Sequence, residues 1–293
     1  MRSKLFVPAS RPELFAKALT GEAEALSFDL EDSVADANKV VARQALHALL
    51  LSDAARDSGK VLIVRANATG SPHFGHDVEA VVQPGLALLN VPKVERPGDV
   101  LAAAEAVERA ERANGFRAGV DAPVGLLLTI ETPKALRDAV QLAAAHPRVA
   151  GLQLGLSDLF EPLSIARHEP LAVAQAMFAL RIAAGAAGVF AYDGAFADIF
   201  DAEGYRAEAM LARRHGFLGK SCIHPSQVAL ANDVFCPDSA EIANAFKVVA
   251  AARDAAAHGR GAFMVDGKMI DRPLLASAER IVALARRLKL SLH

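Results

Sequence analysis

The chain has 293 residues, 53% of them hydrophobic, with 32 Lys and Arg against 34 Asp and Glu for a formal net charge of -2. That size fits one main domain plus an appendage, since barrel folds run to about 250 residues in one piece. The charge balance leaves no basic surplus for nucleic acid and no Lys/Arg block for a membrane surface. Acidic residues cut the apolar stretches well short of a membrane span.

MRSKLFVPAS at the start has no signal-peptide apolar core, so a cytoplasmic protein is expected. Apolar runs then follow near 4–9, 25–30, 61–66, 86–92, 124–130, 149–156, 188–192 and 217–223, each bounded by Gly, Pro, Asn or charged residues. Between them lie Ala-rich segments with helical spacing, such as VLAAAEAVERAERANGF at 100–116 and PLAVAQAMFALRIAAGAAG at 170–188. Alternating strand and helix specify parallel strands with right-handed crossovers, and about eight repeats specify a closed (β/α)₈ TIM barrel. A doubly wound sheet is the alternative, but neither GxGxxG after the first strand nor GxxxxGK[ST] anywhere supports it. After IHPSQ the pattern changes to a helix over 239–258, the loop GRGAFMVDGKM and a last amphipathic segment. Residues 1–228 are therefore the predicted barrel. Residues 229–293 are a C-terminal helical appendage or lid whose Gly259, Gly261 and Gly267 allow a mobile loop. Cys222 and Cys236 have no metal-ligand spacing and read as reduced thiols without a catalytic part.

Charged side chains recur at the ends of the apolar runs: Glu31 and Asp32 after SFDL, Arg65 after VLIV, Lys93 in VPKVE, Glu131 after VGLLLTI and Asp158 after GLQLGLS. A parallel barrel gathers these ends at one mouth, where the active sites of such folds lie. Two carboxylates, Glu131 and Asp158, on neighbouring strands suit Mg²⁺, which takes oxygen ligands and keeps several waters. No HxxxH or HxH pair suggests zinc. The plainer alternative is that Glu131 caps a helix starting at Thr132–Pro133 and Asp158 pairs with a cation. Arg65 has the planar fork to hold a substrate carboxylate, or else it bridges to Glu31 or Asp32. Lys93 is an ion-pair partner or a Schiff-base lysine. Backbone N–H groups of Gly155, Leu156 and Ser157 open a helix and could meet an anion.

RSKLFVPASRPELFAKAL, DLEDSV, VRAN, VPKVE, IET, GLSDL, GFLGKSCIHPSQV and DGKMID, in that order, resemble the citrate lyase β-subunit-like branch of the HpcH/HpaI aldolase superfamily over nearly the whole chain. The resemblance implies a Mg²⁺-dependent barrel enzyme acting on acyl-CoA thioesters of hydroxy acids. It implies Glu131 and Asp158 as metal ligands, Arg65 at the substrate's acid group, and Glu31 and Asp32 as positioning carboxylates. Arg2, Lys17, Ile223, His224 and Pro225 would line the CoA entrance. Asp271 would transfer a proton from a neighbouring subunit, which makes a homotrimer or a hexamer of trimers the expected assembly. Ala9 departs from the pattern, which carries glycine after LFVP. The expected reaction is carbon–carbon cleavage of a citryl-CoA-like 3-hydroxyacyl thioester to acetyl-CoA and a 2-keto acid. The alternatives are malate synthase-like condensation with thioester hydrolysis, a citrate lyase complex subunit using an acyl-carrier-protein thioester, and an inactive binding module.

Overall fold

A computed structural model describes residues 1–258 and 261–290. Eight parallel strands, β1 Ser3–Pro8, β2 Ala25–Asp29, β3 Val61–Arg65, β4 Leu88–Val91, β5 Gly125–Ile130, β6 Val149–Leu154, β7 Phe190–Tyr192 and β8 Lys220–Cys222, lie at the eight apolar runs. Six consecutive pairs, β1–β2 through β6–β7, and the β1–β8 pair are laddered. The remaining seam closes through a bridge between Asp193, just past β7, and Lys220, reinforced by Asp193 N–H to Gly219 O at 3.0 Å and Ser221 N–H to Asp193 O at 3.1 Å. The result is a (β/α)₈ TIM barrel with helices outside it.

Strand alternation sorts the side chains into two populations. Leu5 and Val7 of β1, Leu26 and Phe28 of β2, and Leu126 and Leu128 of β5 face the helices and belong to the main core. The inward residues Ala25, Ile63, Leu88, Leu127 and Tyr192, joined by Met1, form a separate apolar plug at the barrel floor. Above that plug the interior turns polar, with Lys4, Ser27, Asn90, Thr129 and Gln153 all buried. Outside the sheet, Lys220 is fully buried and its Nζ lies 2.6 Å from Asp193 and 2.7 Å from Glu208. Arg167 completes the charge balance by forking onto Glu208 at 2.8 and 2.9 Å.

The barrel unit runs from Met1 to Phe235 and the second unit begins at Cys236. The boundary expected after residue 228 falls inside the helix Pro225–Val234, which packs on β1 and β8 and so belongs to the barrel. The second unit has helices Ser239–Ala257 and Arg272–Arg287. It also holds a feature the sequence reading treated as a loop: an antiparallel hairpin of β9 Phe263–Val265 and β10 Lys268–Ile270. Its turn, Asp266–Gly267, has φ of +50° and +75°, the two left-handed residues of a type I′ turn. Val265 and Ile270 pack with Ala245, Val248, Ala278 and Val282 in a small core, which fixes the segment. Gly259 lies outside the described residues, as do 291–293 of the predicted appendage. Among the described residues no helix is long and apolar enough to cross a membrane.

Candidate active site

The barrel mouth opens as a cavity of about 440 Å³ whose wall includes Phe6, Asp29, Asp32, Arg65, Thr129, Glu131, Gln153, Gly155 to Asp158 and Ile223. Glu131 directly follows β5. Thr132, not Glu131, caps the next short helix, its side chain accepting from Ala135 N–H at 3.1 Å, so the Glu131 carboxylate is left for the cavity. It is 3% exposed and accepts from the backbone N–H of Lys93 at 2.7 Å. Lys93 has φ of +55°, a conformation that a lysine adopts only under constraint from its surroundings. Burial, with the Asp158 and Glu31 charges adding to it, pushes the Glu131 carboxyl up to about 8. Asp158 lies in the first turn of the helix Leu156–Phe160 after β6, one residue past an exposed Ser157.

Gly155 shows how tightly this corner is built. A Cβ there would lie 2.6 Å from Glu131 Cβ and 3.0 Å from its Oε2, so the chain after β6 approaches the carboxylate as only glycine allows. Two neighbouring carboxylates, one with its negative charge disfavoured by burial, form an oxygen donor set that a divalent cation would relieve. Among the described residues no group of three His, Cys, Asp or Glu side chains is placed to hold a metal ion by itself, and the pair here fits Mg²⁺ held by two protein carboxylates with water and substrate.

Arg65 ends β3 beside its register partner Asp29, a residue the sequence reading passed over. Asp29 takes the side of the guanidinium in bidentate fashion, with Nε–Oδ1 and Nη2–Oδ2 both at 2.7 Å. Arg65 is thus bridged as its alternative reading expected, with Nη1 also donating to Asp32 Oδ2 at 3.5 Å, and the donor capacity left for a ligand is at its Nη1/Nη2 end. Nη1 lies 2.8 Å from Glu31 Oε2 but out of hydrogen-bond alignment, and that buried oxygen receives no hydrogen bond among the described residues. Burial raises the Glu31 carboxyl above its ordinary range. Lys93 Nζ lies 2.7 Å from Glu31 Oε1 and 3.4 Å from Asp32 Oδ1. These pairs outweigh its desolvation and raise its pKa, so Lys93 is an ion-pair partner of Glu31 and Asp32. Asp29 was legible in principle: Ala25, Ser27 and Asp29 share the inward face by alternation.

The residues expected at a CoA entrance do not form one group. Ile223 lines the cavity. His224 caps the helix Pro225–Val234, its Nδ1 accepting from Ser226 N–H at 3.2 Å, with Pro225 at the first helical position. Lys17 is exposed on the helix Phe15–Thr20 and is not part of the cavity wall. Arg2 is at the opposite end of the barrel. It precedes β1, its Nε lies 2.7 Å from Glu24 Oε1 ahead of β2, and its Nη1 donates to Asn232 O at 2.9 Å. Its guanidinium therefore holds the floor. Asp271, in the second unit, is exposed and caps the helix Arg272–Arg287, its Oδ1 accepting from Leu274 N–H at 3.2 Å.

A parallel barrel with two carboxylates and an anchored arginine at its mouth suits metal-assisted chemistry. Residues 2–225 match the HpcH/HpaI aldolase/citrate lyase family, and the chain belongs to that family. It is 35% identical over 285 residues to the citrate lyase subunit beta of Escherichia coli K12, covering 97% of this chain and 93% of that one. It is equally 35% identical over 291 residues to the (3S)-malyl-CoA thioesterase of Cereibacter sphaeroides, covering 96% of each. Among solved structures it resembles CitE of Mycobacterium tuberculosis in complex with magnesium, acetoacetate and coenzyme A, with a TM-score of 0.72, 32% identity and coverage of 98% and 100%.

Proposed function

We propose that this chain is a Mg²⁺-dependent carbon–carbon lyase that cleaves a 3-hydroxyacyl-CoA thioester of the citryl-CoA type into acetyl-CoA and a 2-keto acid such as oxaloacetate. The observation that carries the reading is the placement of Glu131 and Asp158 on one cavity wall with Arg65 held rigidly beside them. Glu131 and Asp158 would hold the ion, with Glu31 Oε2, which receives no hydrogen bond among the described residues, available to a water of its shell. Mg²⁺ bound there supplies Lewis-acid polarisation of the substrate's hydroxyl or keto oxygen.

The other tasks fall to the chain. Asp29 fixes the guanidinium plane, so Arg65 presents its Nη1/Nη2 end to the acid group without a search over rotamers. The N–H groups opening the Leu156–Phe160 helix supply donors near the same group. In the cleavage direction the hydroxyl gives its proton to a water in the cavity, the C–OH carbon becomes a carbonyl, and the electrons of the broken C–C bond pass to the thioester as its enolate. Asp271, contributed by a second copy of the chain in a homotrimer or hexamer, would protonate that enolate carbon to give acetyl-CoA. Lys93 stays an ion-pair partner of Glu31 throughout.

The test is a panel of citryl-, citramalyl- and malyl-CoA incubated with the protein, with and without Mg²⁺, following acetyl-CoA, keto acid and free CoA. Mg²⁺-dependent acetyl-CoA and keto acid in equal amounts are expected. Free CoA with intact hydroxy acid would instead mark a thioesterase, the activity of the C. sphaeroides relative. Turnover only with an acyl-carrier-protein thioester would mark a complex subunit.

A further inference from the structure

Beneath the mouth lies a charged group that the proposed chemistry does not use. Lys4 points inward from β1, is 0% exposed, and its Nζ hydrogen-bonds Gln153 Oε1 on β6, across the barrel interior. The ammonium lies 4.5 Å from the Phe6 ring centroid and 5.3 Å from that of Tyr192, faces that suit a cation. Burial lowers the Lys4 pKa well below its ordinary value, a cost that a barrel filled with ordinary aliphatic side chains would not carry. A buried lysine kept at such a cost calls for a task.

Gln153 is where that task shows. It lines the cavity together with Phe6, Thr129, Glu131 and Arg65, yet is only 5% exposed. Lys4 Nζ is the donor of this bond and Gln153 Oε1 its acceptor, which fixes the carboxamide's orientation and turns Nε2 away from Lys4. Among the described residues Nε2 meets no protein acceptor. The next pair around the barrel repeats the theme: Thr129 donates to Asn90 Oδ1 at 2.8 Å, and the buried Asn90 Nδ2 has no partner among the described residues. The layer under the metal-binding corner thus presents amide donors without acceptors.

We propose that Lys4 and Gln153 form a specificity pair for the acid half of the substrate. Lys4 holds the carboxamide so that Nε2 donates into the cavity, to an oxygen on the substituent of the hydroxyl-bearing carbon. A keto acid carrying a second carboxylate is therefore preferred over one ending in a methyl group. Gln153 is the contact, and Lys4 is a positioning residue. This inference rests on the lyase reading and names the substrate class of that same cavity.

The probes are oxaloacetate and pyruvate, which differ by that second carboxylate. Their binding to the Mg²⁺-loaded full chain is measured by calorimetry, and kcat and KM for condensation with acetyl-CoA are measured alongside. Wild type is expected to prefer oxaloacetate. Gln153→Leu should reduce the oxaloacetate-to-pyruvate ratio by about tenfold or more through KM, with Mg²⁺ affinity unchanged, since a site that donates to an oxygen discriminates against ligands lacking it. Lys4→Met should reduce the ratio in the same direction while leaving pyruvate binding in place. The double variant Lys4→Met/Gln153→Leu leaves no orphaned charge and guards against misfolding of either single variant. It should lose no more preference than Gln153→Leu alone, because the two act as one unit. Keto acids that bind with a ratio unmoved by Gln153→Leu, or a wild type that favours pyruvate, would overturn the specificity pair and leave the lyase reading standing. Failure of both keto acids to bind the Mg²⁺-loaded wild type would overturn the lyase reading, and this inference with it.

Discussion

At the scale of single residues, the site depends on one buried carboxylate and one anchored guanidinium. Glu131→Gln and Asp158→Asn should each cut activity by about 100-fold or more while the barrel stays folded, through loss of charge at the developing alkoxide; unchanged Mg²⁺ affinity in both would remove the pair from the metal site. Glu131 also sets a pH dependence. Its carboxyl is raised to about 8, so a proton competes with the metal, and apparent Mg²⁺ affinity should weaken by about tenfold per pH unit below 8. The sign for stability is the reverse of the usual carboxylate. The folded state favours the protonated form, so this contribution is present below the unfolded value near 4.5 and is lost as pH rises through 8. The metal-free protein should therefore lose Tm over that window relative to Glu131→Gln, and Mg²⁺ should restore it. Arg65→Lys and Asp29→Asn should both raise the keto-acid KM more than they change CoA affinity, the first by removing the planar edge and the second by freeing it to rotate. A rise in CoA Kd with an unmoved keto-acid KM would place Arg65 at the thioester end. Glu131, Asp158 and Arg65 were legible because a charge closing an apolar run stands out. Asp29 stands out less because it lies inside its run: alternation places it on the inward face, but only the partner strand's register reveals its pairing with Arg65.

At the scale of elements, the eight strands were readable because a strand covered by helices on one side and core on the other is continuously apolar. The hairpin of the second unit was not read, although Asp266–Gly267 is a strong turn signal. Its strands are three residues long and have Met264 and Met269 exposed, so no apolar run announced them. The ion network behind β7 and β8 was likewise hidden, since its members, Arg167, Asp193, Glu208 and Lys220, are separated in sequence and come together only when the barrel closes. Lys220→Met would leave Asp193 buried without its cation, and removal of one partner of such a pair costs about 3–5 kcal/mol. Urea denaturation should show that loss. A variant as stable as wild type would mean that water reaches Asp193.

At the scale of the whole molecule, the assembly question turns on Asp271. Asparagine caps a helix about as well as aspartate, so Asp271→Asn should keep the Arg272–Arg287 helix and Mg²⁺ binding while slowing proton transfer by roughly 100-fold. Mixed oligomers of Asp271→Asn and Glu131→Gln subunits should regain part of the activity if tail and barrel act across chains. Verified mixed oligomers that stay inactive would return Asp271 to its own chain or remove it from catalysis. The closure of the barrel carries a last consequence, for synthesis. Ser3 pairs with Lys220, so the first strand made waits for the last before its edge is covered. By then the ribosome has already delivered Asp29, Arg65, Glu131 and Asp158. Any sheet that forms before β8 emerges therefore has two bare edges, the form most prone to pairing with another chain.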